Sequence, residues 1–173
     1  MPRAMMMIAT VAGMLSASTS QAAWFTRLDD NGSLVATAVG LDDEGDVSGL
    51  YLTCQQALFS VTVLTSTTPT DPKNLENYSD AKVIFGVRTE ALQATRFGTD
   101  GKAVLVPGNL VAVRTLLSPE QSKLLREWIS KGLVMEIDIV QPLLVIGTGV
   151  RRVAPDGYLQ LKSAFEEHCR ASP

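Results

Sequence analysis

Apolar and polar residues alternate with a period of two along most of this chain, and two shorter stretches switch to helical spacing. Trp24 to Leu28 and Ser33 to Val39 flank Asp29-Asp30-Asn31-Gly32, a turn sequence, so the pair predicts a β-hairpin. Leu50, Leu52 and Cys54 alternate with Tyr51 and Thr53, which sends one set to a buried sheet face. Leu58 to Leu64 repeats the pattern, with Phe59, Val61 and Val63 opposed to Leu58, Ser60, Thr62 and Leu64, and its β-branched residues favour a strand. Gln55-Gln56-Ala57 is the short connection between these two strands.

Thr65 to Asp80 is polar, rich in Thr and broken by Pro69 and Pro72, which predicts a loop and the first place to look for mobility and partner contact. Ala81 to Arg88 and Leu92 to Phe97 read as strands. Gly98-Thr99-Asp100-Gly101 reads as a turn, and Lys102 to Val106 as the returning strand, stopped by Pro107-Gly108. Asn109 to Leu117 fits either strand or helix. Leu133 to Val140 alternates apolar and acidic positions, and Leu143 to Val150 is a further apolar strand.

Ser118-Pro119-Glu120-Gln121 carries the signature of a helix start: Ser at the N-cap, Pro at the first helical position, Gln three residues on. Leu124, Leu125, Trp128 and Ile129 follow at helical spacing, and Gly132 ends the segment. A second helix opens at Asp156-Gly157 and runs toward Arg170, with Leu159, Leu161, Ala164, Phe165 and His168 or Cys169 on its apolar face. The fold class predicted is therefore β-rich α+β: an antiparallel sheet or sandwich, with a helix at about 119–131 and a C-terminal helix at about 157–170.

The N-terminus adds a compartment. Arg3 precedes an apolar run from Ala4 to Leu15, followed by small and polar residues ending Ser20-Gln21-Ala22. This is the layout of a secretory leader, with cleavage expected after Ala22 or, second, after Ala23. The apolar run is shorter than the roughly 20 residues that span a bilayer. The domain reading is a signal peptide at 1–22 and one β-rich domain at 23–173, with no stable membrane span once the leader is removed. Composition agrees with a folded exported protein: 46% of its 173 residues are hydrophobic and only 19% are charged. The net charge of −3 comes without any basic run, which argues against nucleic acid as a partner. Disulfides persist outside the cytoplasm, so the only two cysteines, Cys54 and Cys169, read as a structural bridge. Two free thiols or a redox pair are the rival readings, although the close spacing typical of redox pairs is missing.

Catalytic chemistry finds little to work with. His168 is the single histidine and adjoins Cys169, so neither a nucleophile–base pair nor a familiar zinc set emerges. Gly147-Thr148-Gly149 lacks the third glycine of a dinucleotide site. Leu41 to Ser48 is acidic without the alternate spacing of a calcium loop. Asp29, Asp30, Glu136 and Asp138 are the carboxylates from which a small hydrolase site could be assembled if two converged in one pocket. Arg151-Arg152 is a pair of basic residues at a strand end. No cofactor is expected, and no catalytic or metal-binding residue is assigned.

The leader, the early Trp24, the Leu50-x-Leu52-x-Cys54 strand and the terminal helix ending in Cys169 together resemble two groups of small exported proteobacterial proteins. These are the invasion-associated locus B family and the type VI secretion-associated periplasmic accessory proteins. The resemblance implies a small β-sandwich carrying a C-terminal helix and no enzymatic activity. The Thr-rich loop and the helix from Ser118 to Lys131 depart from both groups. The function expected is that of a periplasmic or secreted accessory factor, not an enzyme, that binds another envelope or secreted protein. The alternatives are the small envelope hydrolase and a carrier of an apolar ligand held between sheet and helix. Oligomeric state is left open by the sequence.

Overall fold

A computed structural model describes residues 23–41, 47–55, 57–69, 75, 80–88, 94–141, 151–153 and 157–169. The predicted leader, most of the acidic loop, most of the Thr-rich loop and the strand expected at 143–150 lie outside the described residues. Nine strands are described: β1 (Ala23–Leu28), β2 (Leu34–Leu41), β3 (Val47–Gln55), β4 (Leu58–Leu64), β5 (Ala81–Arg88), β6 (Ala94–Val106), β7 (Leu110–Leu116), β8 (Met135–Val140) and β9 (Arg151–Val153). Two helices accompany them, α1 (Pro119–Ser130) and α2 (Tyr158–His168). All pairings are antiparallel, in the order β1-β2-β3-β4-β7-β6-β5-β8-β9. The β-rich α+β class read from the sequence is the one observed.

One face of this sheet is the core. Leu34, Ala36 and Ala38 of β2 stand opposite Cys54, Leu52 and Leu50 of β3, which stand opposite Phe59, Val61 and Val63 of β4. All nine side chains are buried. Val83, Phe85 and Val87 of β5 and Met135, Ile137 and Ile139 of β8 continue the layer. Register is held firmly in such a sheet, because a slip of one residue would turn every apolar side chain to solvent. Rings fill the space between sheet and helices. Phe59 meets Phe165 of α2 edge-on at 4.9 Å, and Phe97 stacks on both Phe85 at 5.1 Å and Trp128 of α1 at 5.4 Å. That filling leaves the layer a packed core at these positions.

The predicted turn at Gly98–Gly101 is not a turn. It lies inside β6, a strand of 13 residues whose first part, to Gly101, pairs with β5 and whose second part, from Lys102, pairs with β7. Gly101 serves the change of partner. A Cβ on Gly101 would stand 2.5 Å from Val113 Cγ1 and 3.3 Å from Val83 Cγ2, so the strand passes where side chains of both halves close in. Beside it Thr115 donates to the Asp100 carbonyl at 2.8 Å, and its hydroxyl lies 2.9 Å from that of Thr99. Glycine-rich composition marks close backbone approach as readily as reversal, and the pairing on both flanks decides between them. The true reversal comes at Pro107-Gly108-Asn109, where Gly108 and Asn109 take φ of 92° and 62°. Asn109 to Leu117, open between strand and helix in the sequence, resolves to β7 because β4 and β6 flank it.

The capping box of α1 forms as read: Ser118 Oγ accepts from Gln121 N and Gln121 Oε1 accepts from Ser118 N. Glu120 sits in the first turn, where its hydrogen bonds to backbone and to Ser118 lower its pKa. Ser122, Leu125, Trp128 and Ile129 form the buried stripe, and Gly132, at φ 63°, follows the last turn. Ser122 is polar for a reason: its Oγ accepts the amide of Phe59 at 3.2 Å, while the Phe59 carbonyl accepts from Leu117 N. The β4–β7 ladder ends at Ser60 and Leu116, and Ser122 of α1 with Leu117 just before the helix supplies the partners that Phe59 would otherwise lack.

The Gly101→Ala variant is expected to lose about 1–3 kcal/mol of stability through overpacking against Val113, whereas Gly98→Ala, where a Cβ meets nothing within 4 Å, is expected to be near neutral. Urea unfolding of the pair measures the difference. Tyr158 yields a second expectation. Its ring is buried 5.7 Å from that of Trp24, and its hydroxyl finds no hydrogen-bond partner among the described residues. Burial pushes its pKa well above the ordinary phenol value of 10.0. A raised folded pKa contributes stability that is intact below that ordinary value and is lost as pH climbs beyond it, where the unfolded chain ionises first. Tyr158→Phe is therefore expected to gain about 1 kcal/mol at neutral pH and to flatten the alkaline decline, read from urea midpoints across pH.

Candidate functional site: the groove between the two helices

The C-terminal helix is tied to the sheet at its far end. Cys169 caps α2 and is joined to Cys54 of β3 by a disulfide with Cα atoms 5.7 Å apart, closing a span of 115 residues. Both cysteines are buried, and no free cysteine is left. The bridge expected from the sequence is therefore present. Along α2, Tyr158, Leu161, Phe165 and Cys169 form the buried stripe and Ala164 is half-buried, while His168 turns outward, its Nε2 3.6 Å from Glu167 Oε1.

One turn of α1 reaches across to this closure. Arg126 donates from Nη1 to the Cys169 carbonyl at 3.0 Å and from Nη2 to the Ala57 carbonyl at 3.3 Å, with Cys169 Sγ 3.4 Å away. Its guanidinium carbon lies 5.4 Å from the centre of the Phe59 ring. Ala57 is held at φ 66°, uncommon for a residue with a side chain, and its carbonyl is the one Arg126 takes up. A single cation thus joins α1, the β3–β4 connection and the end of α2. Sequence reading passed over Arg126. The signal was available: it follows Ser122 by four residues and adjoins Leu125 and Ile129, so helical periodicity puts its aliphatic stem beside the buried stripe.

Between α1 and α2 runs an open groove of about 400 Å³. Its floor is Ile129 and Phe165, and its walls carry Lys123, Arg126, Glu127, Ser130, Lys162 and Glu166. Glu127 contacts Lys131, whose hydrogen bond and charge, with a smaller contribution from Lys123, lower the carboxyl's pKa. Lys162 and Glu166 pair at 3.8 Å. No carboxylate pairs with Arg126 among the described residues, although partial burial already disfavours its charge and lowers its pKa. An arginine nevertheless stays charged, so the groove combines an apolar floor with a positive charge satisfied only by neutral acceptors.

The carboxylates picked out in the sequence do not meet. Asp29 accepts amides from Asn31 at 2.9 Å and Ser33 at 2.8 Å, which makes it the brace of the β1–β2 turn, and Asp30 is its exposed neighbour. Glu136 and Asp138 lie on β8, toward the other end of the strand order, facing away from the core, with Glu136 3.8 Å from Arg96. Arg152 stands opposite Glu136 in the β8–β9 register, beside Arg151. Among the described residues no group of three or more His, Cys, Asp or Glu is placed to hold a metal ion. Gly147-Thr148-Gly149 lies outside the described residues. No described helix is long and apolar enough to cross a membrane.

No protein-family model matches the chain, and comparison with curated proteins and with solved structures finds no significant match.

Replacing both cysteines by Ala is expected to cost about 4 kcal/mol, from the chain freedom returned to the unfolded state. Arg126→Met, which leaves two carbonyls without their donor, is expected to cost about 2 kcal/mol. The triple variant should lose less than the two costs combined, because both act on the same terminal segment. Denaturant unfolding of the three proteins, with intact mass to confirm the bridge, checks the set.

Proposed function

We propose that this protein is an exported accessory factor that acts by binding another envelope or secreted protein, without enzymatic chemistry of its own, and that the groove between α1 and α2 receives the partner. The leader-like N-terminus and the bridged cysteines support a periplasmic or secreted setting. The resemblance in layout to exported proteobacterial accessory proteins points the same way. The observation that carries the reading is Arg126, a partly desolvated cation without a carboxylate, on an apolar floor of Ile129 and Phe165 and between Lys123 and Lys162.

Such a surface suits a segment presenting an acidic side chain next to an apolar one. The apolar group displaces water from Phe165, and the carboxylate takes up the donors that Arg126 and Lys123 still offer. The rigid frame favours this use, since the disulfide and Arg126 fix both walls before a partner arrives and reduce the ordering cost of association.

A photo-reactive residue at Ser130, on the groove wall, is expected to cross-link one protein of defined mass in the native envelope fraction. The same probe at Thr37, on the far face of β2, should not. Reversing the rim with Lys123→Glu and Lys162→Glu is expected to weaken capture by about tenfold, because charges at an interface rim govern encounter. Capture equal at both positions, or insensitive to the reversal, would sink the proposal.

A further inference from the structure

The face of the sheet turned away from both helices carries a row of side chains that the fold itself leaves unbalanced. The register aligns Tyr51 of β3, Thr62 of β4, Arg114 of β7 and Lys102 of β6 across four neighbouring strands. Leu50 and Leu52 on either side of Tyr51, and Val113 and Thr115 on either side of Arg114, are buried, so alternation turns the row outward. Arg114 and Lys102 are both exposed and stand directly opposite each other. Like charges so placed destabilise a strand pair. Among the described residues no carboxylate pairs with either cation. Arg114 donates from Nε to the Thr62 hydroxyl at 3.3 Å, a neutral acceptor. Asp100, two residues from Lys102 on the same face of β6, stands opposite Lys82 of β5. Two adjoining cations thus weaken the sheet they sit on, in a chain whose net charge is −3.

We propose that this row binds an acidic oligosaccharide, a chain of sugars bearing carboxylates, laid across the strands. With Nε committed to Thr62, the terminal amino groups of Arg114 remain, and that fork matches the two oxygens of a carboxylate. Lys102 adds the second charge from the next strand. Tyr51 lies two strands from Arg114, roughly 10 Å at the spacing of strands in a sheet. Its half-buried ring offers an apolar surface to a neighbouring sugar, and its hydroxyl a polar handle. Thr53 and Ser60, opposite each other one row on, supply hydroxyls that both donate and accept, as sugar hydroxyls do.

An acidic peptide suits the row less well. β3, β4 and β7 each pair with a strand on both sides, so this face offers no backbone N–H or C=O to an extended chain. A nucleic acid would bring a phosphate at every nucleotide to only two cations on an acidic protein. The site is separate from the α1–α2 groove and goes beyond the function proposed above, since its ligand is not a protein.

Titration calorimetry of the purified, disulfide-bonded protein with tetragalacturonate tests the site. Arg114→Gln and Lys102→Gln are each expected to weaken binding by about tenfold, and Tyr51→Leu by about threefold. Added salt should weaken it further, and the groove variant carrying Lys123→Glu and Lys162→Glu should bind as the parent does. Lys102→Glu sets a carboxylate opposite Arg114, so it is expected to raise the urea midpoint of the free protein while abolishing binding. That opposition of stability and binding is one a purely structural role would not produce. No binding at millimolar uronate overturns the proposal, as does equal binding of a neutral galactose tetramer. Tighter binding of tetraglutamate or of an oligodeoxynucleotide overturns it too, and so does uronate binding that survives Lys102→Glu.

Discussion

The contact on which the rest of the structure depends is the seat of Cys169 and Phe165 on Cys54 and Phe59. The two pairs lie side by side, since Cys54 stands opposite Phe59 in the β3–β4 register and Phe165 precedes Cys169 by one turn of chain. A covalent bond and an aromatic contact therefore anchor the same end of α2 to adjoining strands. With α2 seated, the Cys169 carbonyl comes within reach of Arg126, and α1 is drawn to the same corner. Without it, Arg126 would face water and the groove would lose one wall.

Arg126 is a stabilising residue and, in the function proposed, the binding element as well. Its hydrogen bonds to Cys169 and Ala57 serve the fold, yet a guanidinium carries five N–H groups, and two neutral carbonyls do not neutralise a charge. Desolvation by the surrounding helices raises the gain from any anion that arrives, because charge interactions strengthen as water is removed. The arrangement explains why the same side chain can hold the frame together and still attract a carboxylate. It also links the compartment to the surface: where the disulfide persists, the groove keeps its shape.

The outer edge contrasts with this corner. β1 is bound through β2 and through Trp24, whose ring packs on Tyr158 and whose backbone lies against Gly157. Gly157 takes φ 87°, and a Cβ there would come within 3.3 Å of Trp24, so the start of α2 is shaped by β1 as its end is shaped by β3. The strand is thus held on one side by β2 and at Trp24 by the start of α2, while Phe25 and Leu28 stay exposed.

Most of the fold was legible in the residues alone, because strands β1 to β5 and β8 and both helices carry patterns that burial enforces, whereas β7 was settled only by its neighbours β4 and β6. Alternation in Leu50-x-Leu52-x-Cys54 and in Phe59, Val61 and Val63 predicts which face turns inward, since apolar burial is local to each residue and independent of which strand becomes the neighbour. Ser118 and Gln121 specify the start of α1 for the same reason: the capping contacts span only three residues. The bridge followed from having two cysteines and an export-like leader. Tertiary structure decided what depends on partners distant in sequence. Gly98 to Gly101 has the composition of a turn, and only the approach of Val113 and Val83 made it the place where one strand changes neighbours. No sequence signal told that Asp29 would brace the β1–β2 turn while Glu136 and Asp138 would lie on β8. Arg126 gained its role only when residues 57 and 169 were folded against it, because a cation's partners are set by proximity in space and not by its neighbours along the chain.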